Sequence, residues 1–307
     1  MAGKIVIMGS CLTALSMQGP RFPVVGETVV ADTCFDEVGG KGTNQALAAA
    51  RLGSEVAMVG CVGHDLFGEQ VVQVHRDFGV RVQGIRMTPD ARTGVAFVMI
   101  DGGGRNMIMV APGANALLAP EDFERNLPVV QAGDIIGFQL EVSPAVVEYG
   151  IRRASELGVK TLLDPAPARP LDPAIYRHLD YIKPNETEAA LLTGIPVSDA
   201  DSAFRAAQWF LDHGVKNALV TLGEKGVVVL NREVREYLTP PTVAAKDPTG
   251  AGDIFSAGLM HGLAAGRPLL EAARFAVYAS AWSVQTLGVL TAMPNRQQVL
   301  DFQKEGN

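Results

Sequence analysis

The feature that most constrains the fold is a repeated alternation between short apolar runs and helical stretches. Residues 4–9 form an apolar run that ends in glycine, which is typical of a buried parallel strand. Repeated strand–helix units predict a doubly wound, Rossmann-like α/β fold with a mostly parallel sheet, and such sheets bind ligands at the carboxyl ends of their strands. The later apolar runs are at residues 56–59, 134–138, 160–163 and 218–221.

Two β-rich segments interrupt this alternation. Residues 21–38, including the stretch 27–30, predict strands of a small sheet outside the core. Residues 93–100 and 106–110 predict a hairpin that completes this sheet. We therefore expect one domain over residues 1–307, with a lid formed by about residues 12–38 and 92–110 inserted in the α/β core.

Composition excludes several classes of partner. The 307 residues include 26 basic and 33 acidic ones, a net charge of −7, and contain no long Lys/Arg run. This balance argues against nucleic acid or anionic lipid as the main partner. Three cysteines without CxxC spacing indicate neither a disulfide framework nor a zinc site. No apolar run approaches membrane-spanning length or a signal sequence, so we expect a cytoplasmic protein.

The segment Asp247-Pro-Thr-Gly-Ala-Gly-Asp253 begins an apolar helix that we predict from residue 254 to about residue 265. The unpaired amides of Gly250, Ala251 and Gly252 at a helix start form an anion site that a phosphate can approach closely. Asp253 would repel a phosphate but is suited to take a proton from an attacking hydroxyl. The segment therefore indicates phosphoryl transfer to an alcohol. In the structural alternative, the glycines form a turn and Asp253 caps the helix.

A second glycine-rich segment, Val38-Gly-Gly-Lys-Gly-Thr-Asn-Gln45, has neither Walker A nor dinucleotide-binding spacing. It predicts a flexible hinge at Gly40 from which Lys41 and Asn44 donate to hydroxyls. The alternative is a glycine-rich loop with an exposed lysine.

Polar residues also follow several of the predicted strands. Glu141 and Asp164 each end a strand and cluster at one edge of the sheet, where carboxylates accept bonds from sugar hydroxyls. Asn185 and Glu188 form a near capping box, whose carboxylate could hold Mg²⁺ through water. Thr221 and the Gly223 amide could reach nucleotide phosphates, whereas Gly226 is also the positive-φ residue of a hairpin turn.

Six short segments, in their order along the chain, resemble motifs of the ribokinase-like (PfkB) carbohydrate kinases, and the resemblance extends over nearly the whole chain. The resemblance implies a Rossmann-like core with a β lid, dimerisation through that lid, and ATP-dependent phosphorylation of a sugar hydroxymethyl group. The segments that carry it are Gly39-Gly-Lys-Gly-Thr-Asn-Gln45, Gly63-His-Asp-Leu-Phe-Gly68, Gly113-Ala-Asn115, Asp164-Pro-Ala-Pro-Ala-Arg169, Pro184-Asn-Glu-Thr-Glu188 and Asp247-Pro-Thr-Gly-Ala-Gly-Asp253.

The resemblance also implies a role for each matching residue. Asp253 would be the base, and Gly250, Ala251 and Gly252 would form the anion hole. The implied sugar contacts are Gly40, Lys41, Asn44, Glu141 and Asp253. The implied nucleotide site comprises Asn185, Thr221, Gly223, Gly226 and Gly252, with Glu188 near Mg²⁺. An activating K⁺ would lie at Asp247, Thr249, Ser283, Thr286 and Gly288.

Two departures from the family pattern concern the acceptor and K⁺. The family carries Asn-x-Asp after the first strand, where this chain has Leu12 and Ala14. Losing a carboxylate that accepts hydroxyl bonds removes about 1.5–3 kcal/mol of recognition. Ribose is therefore in doubt, and a less hydroxylated acceptor is favoured. Ala292 stands where the family offers K⁺ a serine, which predicts a weaker monovalent site.

Two other functions stay open at this point. Leu12 and Ala14 also fit a kinase of nucleosides or other non-sugar alcohols. Leu12 and Ala14 are also compatible with a catalytically silent protein that binds a sugar or a nucleotide, although such a protein would have little need of Asp253.

Overall fold

The computed structural model describes residues 3–305, which form a nine-stranded sheet and a separate four-stranded sheet. The strands are β1 (Lys4–Met8), β2 (Leu12–Gln18), β3 (Thr33–Gly39), β4 (Glu55–Gly63), β5 (Arg81–Thr88), β6 (Gly94–Ile100), β7 (Asn106–Ala111), β8 (Ile135–Gln139), β9 (Lys160–Asp164), β10 (Tyr181–Ile182), β11 (Asn217–Thr221), β12 (Val227–Leu230) and β13 (Arg235–Leu238).

The helices occupy both faces of the large sheet. They are α1 (Lys41–Arg51), α2 (Leu66–Asp77), α3 (Pro120–Arg125), α4 (Leu127–Gln131), α5 (Pro144–Glu156), α6 (Glu186–Thr193), α7 (Ala200–Asp212), α8 (Ala251–Ala264), α9 (Leu269–Ser283), α10 (Val289–Ala292) and α11 (Arg296–Glu305). Between residues 3 and 305, no helix is long and apolar enough to cross a bilayer.

The large sheet has the order β13-β12-β11-β10-β9-β8-β1-β4-β5. The pairs β11–β12 and β12–β13 at one edge are antiparallel, and the other pairs are parallel. This confirms the predicted doubly wound, mostly parallel sheet. Its strands are apolar because both faces are covered, and every residue of β1 from Ile5 to Met8 is at most 2% exposed. The chain first builds β4 and β5 on one side of β1 and later β8 to β11 on the other. This reversal opens a crevice at the carboxyl ends of β1 and β8.

Each face of the sheet packs its own apolar core. One core joins the sheet to α1, α2, α8 and α9, and the other joins it to α3, α4, α5 and α7. α8 and α9 approach closely, since a Cβ on Gly262 would lie 2.6 Å from Ala272 Cβ. This packing fixes α8, whose first turn faces the crevice.

The small sheet, which we call the lid, has the order β3-β2-β6-β7. Leu12 and Ala14 of β2 pair with Gly39 and Glu37 of β3, so these four residues share one face. The predicted strand at residues 27–30 was wrong, because this stretch is irregular. Its β-propensity is a weak preference that needs a partner strand to take effect, and β2 pairs with residues 33–39 instead.

Candidate active site

The carboxyl ends of β1 and β8 meet at a shared carboxylate. Ser10, after β1, donates its hydroxyl to Glu141 Oε2 at 2.5 Å, and the Lys41 amide donates to the same oxygen at 2.8 Å. Glu141 follows β8 by two residues and is half-buried. These bonds place the start of α1 at the crevice.

The glycine-rich segment is more ordered than we predicted. β3 ends at Gly39, Gly40 is the helix N-cap with a φ of 95°, and α1 already begins at Lys41. Lys41 and Asn44 therefore both lie on α1, which begins directly after the predicted hinge at Gly40. The positive φ of Gly40 lets the strand turn directly into the helix, and Glu141 supplies the acceptor for the first helical amide.

Asp253 lies in the first turn of α8, which begins after Gly250, a left-handed residue with a φ of 77°. The Asp253 side chain is buried, with the residue 5% exposed. Its Oδ2 accepts from Asn44 Nδ2 at 2.9 Å, and its Oδ1 accepts from Gln45 Nε2 at 3.2 Å. Because Gly250 is the N-cap and no side chain caps this helix, capping does not account for Asp253.

Charge in this pocket is balanced between Asp253 and Lys41. Burial raises the pKa of Asp253 above its ordinary 3.8, and the Lys41 ammonium is the main influence that lowers it. The charge of Asp253 in turn raises the pKa of Lys41, although burial opposes this. Lys41 thus stays cationic, and Asp253 binds a proton more strongly than an exposed carboxylate does. A general base for an alcohol benefits from that shift.

A second layer of buried polar groups supports Asp253. Gln45 Nε2 also donates to Asp164 Oδ2 at 3.0 Å, and the same Asp164 oxygen accepts from Lys183 Nζ at 2.9 Å and Ser256 Oγ at 3.0 Å. Lys183 is only 4% exposed. Sequence analysis singled out Asp164 but missed Gln45, Lys183 and Ser256. The available signal for Lys183 was a charged residue directly after the apolar strand β10.

The side chain of Asn44, which donates to Asp253, also carries an unpaired acceptor. Asn44 Oδ1 is buried and has no hydrogen-bond partner within residues 3–305. Leu12 is its neighbour, since a Cβ on Gly39 would lie 3.7 Å from Leu12 Cδ1 and 3.9 Å from Asn44 Oδ1. Ala14 lies on the same face of β2. A buried acceptor of this kind calls for a hydroxyl donor, while the nearby lid residues Leu12 and Ala14 are apolar.

The start of α8 offers free amides, and we call residues 250–252 the anion cradle. Ala251 N donates to Pro248 O at 3.2 Å, so the prediction of an unpaired amide at Ala251 was wrong. Ile254 N makes the first intrahelical bond, to Gly250 O at 2.9 Å, which leaves the amides of Gly252 and Asp253 without an intrahelical partner. Val289 packs against the cradle, because a Cβ on Gly250 would lie 2.8 Å from Val289 Cγ1. The free amides and the helix dipole favour an anion here.

The predicted nucleotide residues gather at the ends of β10 and β11. Asn185 caps α6 in a full capping box with Glu188, as the sequence predicted. Thr221 N donates to Pro184 O at 2.9 Å, and Thr221 forms a β-bridge with Asn185. Gly223 has a φ of 55° and open space where a side chain would project.

Gly226 differs from the other predicted nucleotide residues. Its φ is 126°, and a Cβ there would lie 2.1 Å from Leu238 O. Glycine is therefore required by the close approach of β12 and β13, which gives this position a structural reason that is independent of ligands.

The chain is similar to known proteins over nearly its whole length. The model of the pfkB family carbohydrate kinases matches residues 2–296. The chain is 35% identical over 302 residues to a ribokinase of Haemophilus influenzae, which covers 98% of this chain and 99% of that protein. It is 34% identical over 299 residues to a deoxyribokinase of Salmonella typhi, with 97% and 98% covered. The solved structure of Arabidopsis thaliana ribokinase complexed with ribose and ATP matches with a TM-score of 0.91 and 30% identity over 99% of both chains.

The chain belongs to the pfkB family of carbohydrate kinases. This confirms the resemblance drawn from the motifs. It also confirms the predicted enzyme class, a phosphotransferase with an alcohol group as acceptor.

A pfkB kinase implies a divalent ion, and Glu188 fits one in its chemistry. Its two carboxylate oxygens each accept one bond from Asn185, at 2.8 and 2.9 Å, which leaves lone pairs free. Burial raises the pKa of Glu188, while the charge of Lys183 lowers it. Over residues 3–305, no group of three or more His, Cys, Asp or Glu side chains could hold a metal ion alone. Such a site suits Mg²⁺, which keeps several waters and binds substrate phosphates.

The residues implied for K⁺ are drawn together by Asp247. Its carboxylate accepts from Thr249 N at 2.9 Å and from Gly288 N at 3.0 Å. Burial opposes the effect of these bonds, but together they lower the pKa of Asp247 below 3.8. Thr286 N donates to Ser283 O at 3.2 Å in the same loop. The carboxylate and the loop carbonyls are suitable oxygen ligands, whereas the side chain of Ala292 supplies none.

Proposed function

We propose that this chain is an ATP-dependent sugar kinase that transfers the γ-phosphoryl group of ATP to a hydroxymethyl group of a small carbohydrate. The observation that carries this proposal is Asp253, a buried carboxylate with one amide donor on each oxygen, next to the anion cradle. The sugar kinases among the relatives, and the solved ribokinase with ribose and ATP, support ATP as the phosphoryl donor.

The acceptor binds between the lid and α1. The unpaired Asn44 Oδ1 accepts a bond from one acceptor hydroxyl, and the Lys41 ammonium donates to another. Glu141 keeps lone pairs on its second carboxylate oxygen for a further hydroxyl. At Gly40 the absence of a side chain leaves the backbone accessible to the sugar.

In the reaction, the acceptor oxygen bonds to the γ-phosphorus as the bond between that phosphorus and ADP breaks, and the hydroxyl proton passes to Asp253. Each Asp253 oxygen uses one lone pair for Asn44 or Gln45, so another remains for the proton. The cradle amides stabilise the charge that spreads over the phosphoryl oxygens. Asp is a weak base, and positioning supplies most of the effect.

The remaining predicted residues serve the donor side. Asn185, Thr221 and Gly223 lie where they can hold the nucleotide. Glu188 holds Mg²⁺ through water, and the ion supplies charge neutralisation at the phosphates. The loop that Asp247 organises binds K⁺, more weakly than a site with a serine at position 292 would.

Leu12 and Ala14 decide which acceptors are favoured. Both lie on the face of β2 that is shared with Gly39, close to Asn44, and neither side chain can accept a bond from a hydroxyl. A hydroxyl that points at this wall loses its hydrogen bonds to water without replacement. We therefore propose an acceptor with fewer hydroxyls on the lid side than ribose has.

A coupled assay of ADP release tests this function. We expect turnover with at least one sugar, and a kcat/KM for 2-deoxyribose about 10-fold higher than for ribose, because one unpaired hydroxyl is removed from the apolar wall. The panel also contains ketohexoses and nucleosides, each with and without K⁺. The D253N variant supplies the background rate.

The alternatives give different results in the same panel. If every nucleoside in the panel gave a higher kcat/KM than every sugar, the acceptor would be a nucleoside rather than a sugar. If the protein bound ATP and a sugar but released no ADP with any acceptor, it would be a catalytically silent binding protein.

We further propose that two copies of the chain dimerise through the lid. The edge strands β3 and β7 each pair on one side only, and exposed apolar residues lie on both faces of the lid, so each face is a candidate interface. A second copy offers the same apolar sheet, so that both surfaces become buried together. The exposed apolar residues are Met17, Phe35, Phe97, Met107, Ile108, Met109 and Val110.

Sedimentation of two single variants tests the dimer. Ile108 and Met109 are adjacent on β7 and point to opposite faces of the lid. We expect a dimer for the wild type, and dissociation by whichever of I108E and M109E places a charge in the interface. A monomeric wild type at micromolar concentration, or two variants that both remain dimers, would refute this assembly.

A further inference from the structure

The lid is tied to the core on each of its two faces by adjacent carboxylates of β3. On one face, Asp36 Oδ2 accepts from Gln70 Nε2 of α2 at 2.9 Å. On the face shared with Ala14, Glu37 Oε1 accepts from Leu290 N at 2.9 Å, and its Oε2 accepts from Val289 N at 3.4 Å. Asp36 is exposed, whereas Glu37 is half-buried.

The amides that Glu37 holds belong to the segment that backs the anion cradle. Val289 lies directly against Gly250, at 2.8 Å between its Cγ1 and the position of a Cβ there. The preceding residue, Gly288, donates its amide to Asp247 at 3.0 Å. Residues 288–290 are therefore in contact with the lid through Glu37, with the cradle through Val289, and with the loop before α8 through Asp247.

The partner of Glu37 across the lid is compatible with this tie. Ala14 pairs directly with Glu37 in the β2–β3 ladder, on the same face. A carboxylate at position 14 would place two like charges in a directly opposed pair, which is destabilising. Alanine leaves Glu37 free to extend across the mouth of the site to Val289 and Leu290.

We propose that Glu37 is a positioning residue, which ties the closed lid to residues 288–290 and thereby fixes the anion cradle for phosphoryl transfer. This proposal rests on the proposed kinase function. With the tie made, the lid excludes water from the site, and Val289 stays packed on Gly250. With the tie broken, the acceptor pocket and the cradle are no longer held in one arrangement, and the phosphoryl group is exposed to water.

The test compares E37A with D36A, its neighbour on the opposite face. We expect E37A to lower kcat by about 10- to 100-fold, the range for hydrogen bonds to a charged group. The KM for ATP should stay within about twofold, because Asn185 and Thr221 lie at the ends of β10 and β11 and make no contact with Glu37. E37A should also release more ADP than phosphorylated acceptor, whereas D36A should keep a ratio near one. E37Q, which keeps one acceptor oxygen, should fall between wild type and E37A and serves if E37A does not fold.

Amide exchange of residues 288–292 supplies a readout that needs no substrate. Exchange of the Val289 and Leu290 amides should be about 10-fold faster in E37A and unchanged in D36A. E37A values of kcat, product ratio and exchange that match those of D36A would overturn the proposal. If the wild type released no ADP with any acceptor, the kinase function would fail. Amide exchange would then be the remaining test of the contact between Glu37 and residues 288–290. Faster exchange of Val289 and Leu290 in E37A would support this contact, and unchanged exchange would refute it.

Discussion

Replacing Asp253 with asparagine is expected to lower kcat by about 10²–10⁴-fold while ATP still binds. Asparagine has nearly the same shape, so the first turn of α8 and its free amides stay in place. Asn44 can rotate its amide, because its Oδ1 has no partner within residues 3–305, and can then accept from the new side-chain NH₂. The variant thus keeps the shape of the site but loses the proton acceptor and the negative charge that balances Lys41.

The control for D253N is D122N. Asp122 is also buried, at 1% exposure, but it pairs with Arg86 and lies outside the crevice. D122N should lower stability and leave kcat nearly unchanged. Rapid-quench turnover and ATP titration of the three proteins separate chemistry from binding. A D253N enzyme that turns over within about threefold of wild type would exclude Asp253 as the base.

The pH profile supplies an independent check on Asp253. Its pKa is raised, mainly by burial, so the working carboxylate is lost as the pH falls through a value above 3.8. The acid limb of kcat/KM should therefore lie at higher pH than that of an ordinary aspartate. In D253N this limb should disappear, leaving the titration of other groups such as Glu188, whose pKa is also raised by burial.

Local sequence patterns sufficed for the core of the fold. Apolar runs such as residues 5–8 are continuous because both faces of a parallel strand are buried, and this made the doubly wound, mostly parallel sheet predictable. The helix predicted from residue 254 exists, but α8 already begins at Ala251, because tertiary packing overrides the low helix propensity of Gly252. By contrast, residues 27–30 have strand-like composition but no partner, and pairing is a tertiary property that a single segment does not encode.

The support of Asp253 could not be predicted, because it joins residues that are distant in sequence. Gln45 donates to Asp253 across 208 positions and to Asp164 across 119. Gln139 donates to Gln45 Oε1 at 2.7 Å. In its own segment, each of these side chains is a common polar residue, and nothing nearby in the sequence indicates that it contacts the others. Only the packing of α1 and α8 over the ends of β8 and β9 brings them together.

The second large effect is expected for Lys183. Its ammonium lies 2.9 Å from Asp164 Oδ2 and 3.4 Å from the Gly252 carbonyl oxygen of the cradle. The side chains of Lys183 and Asp164 are 5% and 1% exposed. Substituting methionine for Lys183 keeps the volume but leaves Asp164 as an unpaired buried charge. Removing one partner of such a pair costs about 3–5 kcal/mol of unfolding free energy.

Urea unfolding of four variants distinguishes a buried pair from an ordinary one. K216M removes Lys216, which is 68% exposed and pairs with Asp180. This variant should lower the free energy of unfolding by at most about 1 kcal/mol. K183M should cost several times more, whereas the double variant K183M/D164N should recover most of the loss, because no net charge stays buried. D164N alone completes the cycle. Equal costs for K183M and K216M would mean that Lys183 and Asp164 are not desolvated.

Catalysis should respond to K183M as well as stability. The charge of Asp164 already acts to raise the pKa of Asp253, and Lys183 neutralises that charge. Without Lys183, the acid limb of kcat/KM should move to higher pH, and in K183M/D164N it should return toward the wild-type position. A limb that stays in place in K183M, in protein shown to be folded, would confine Lys183 to a structural role. If the acid limb of kcat/KM moves in K183M, then Lys183 influences the pKa of Asp253 through the charge of Asp164.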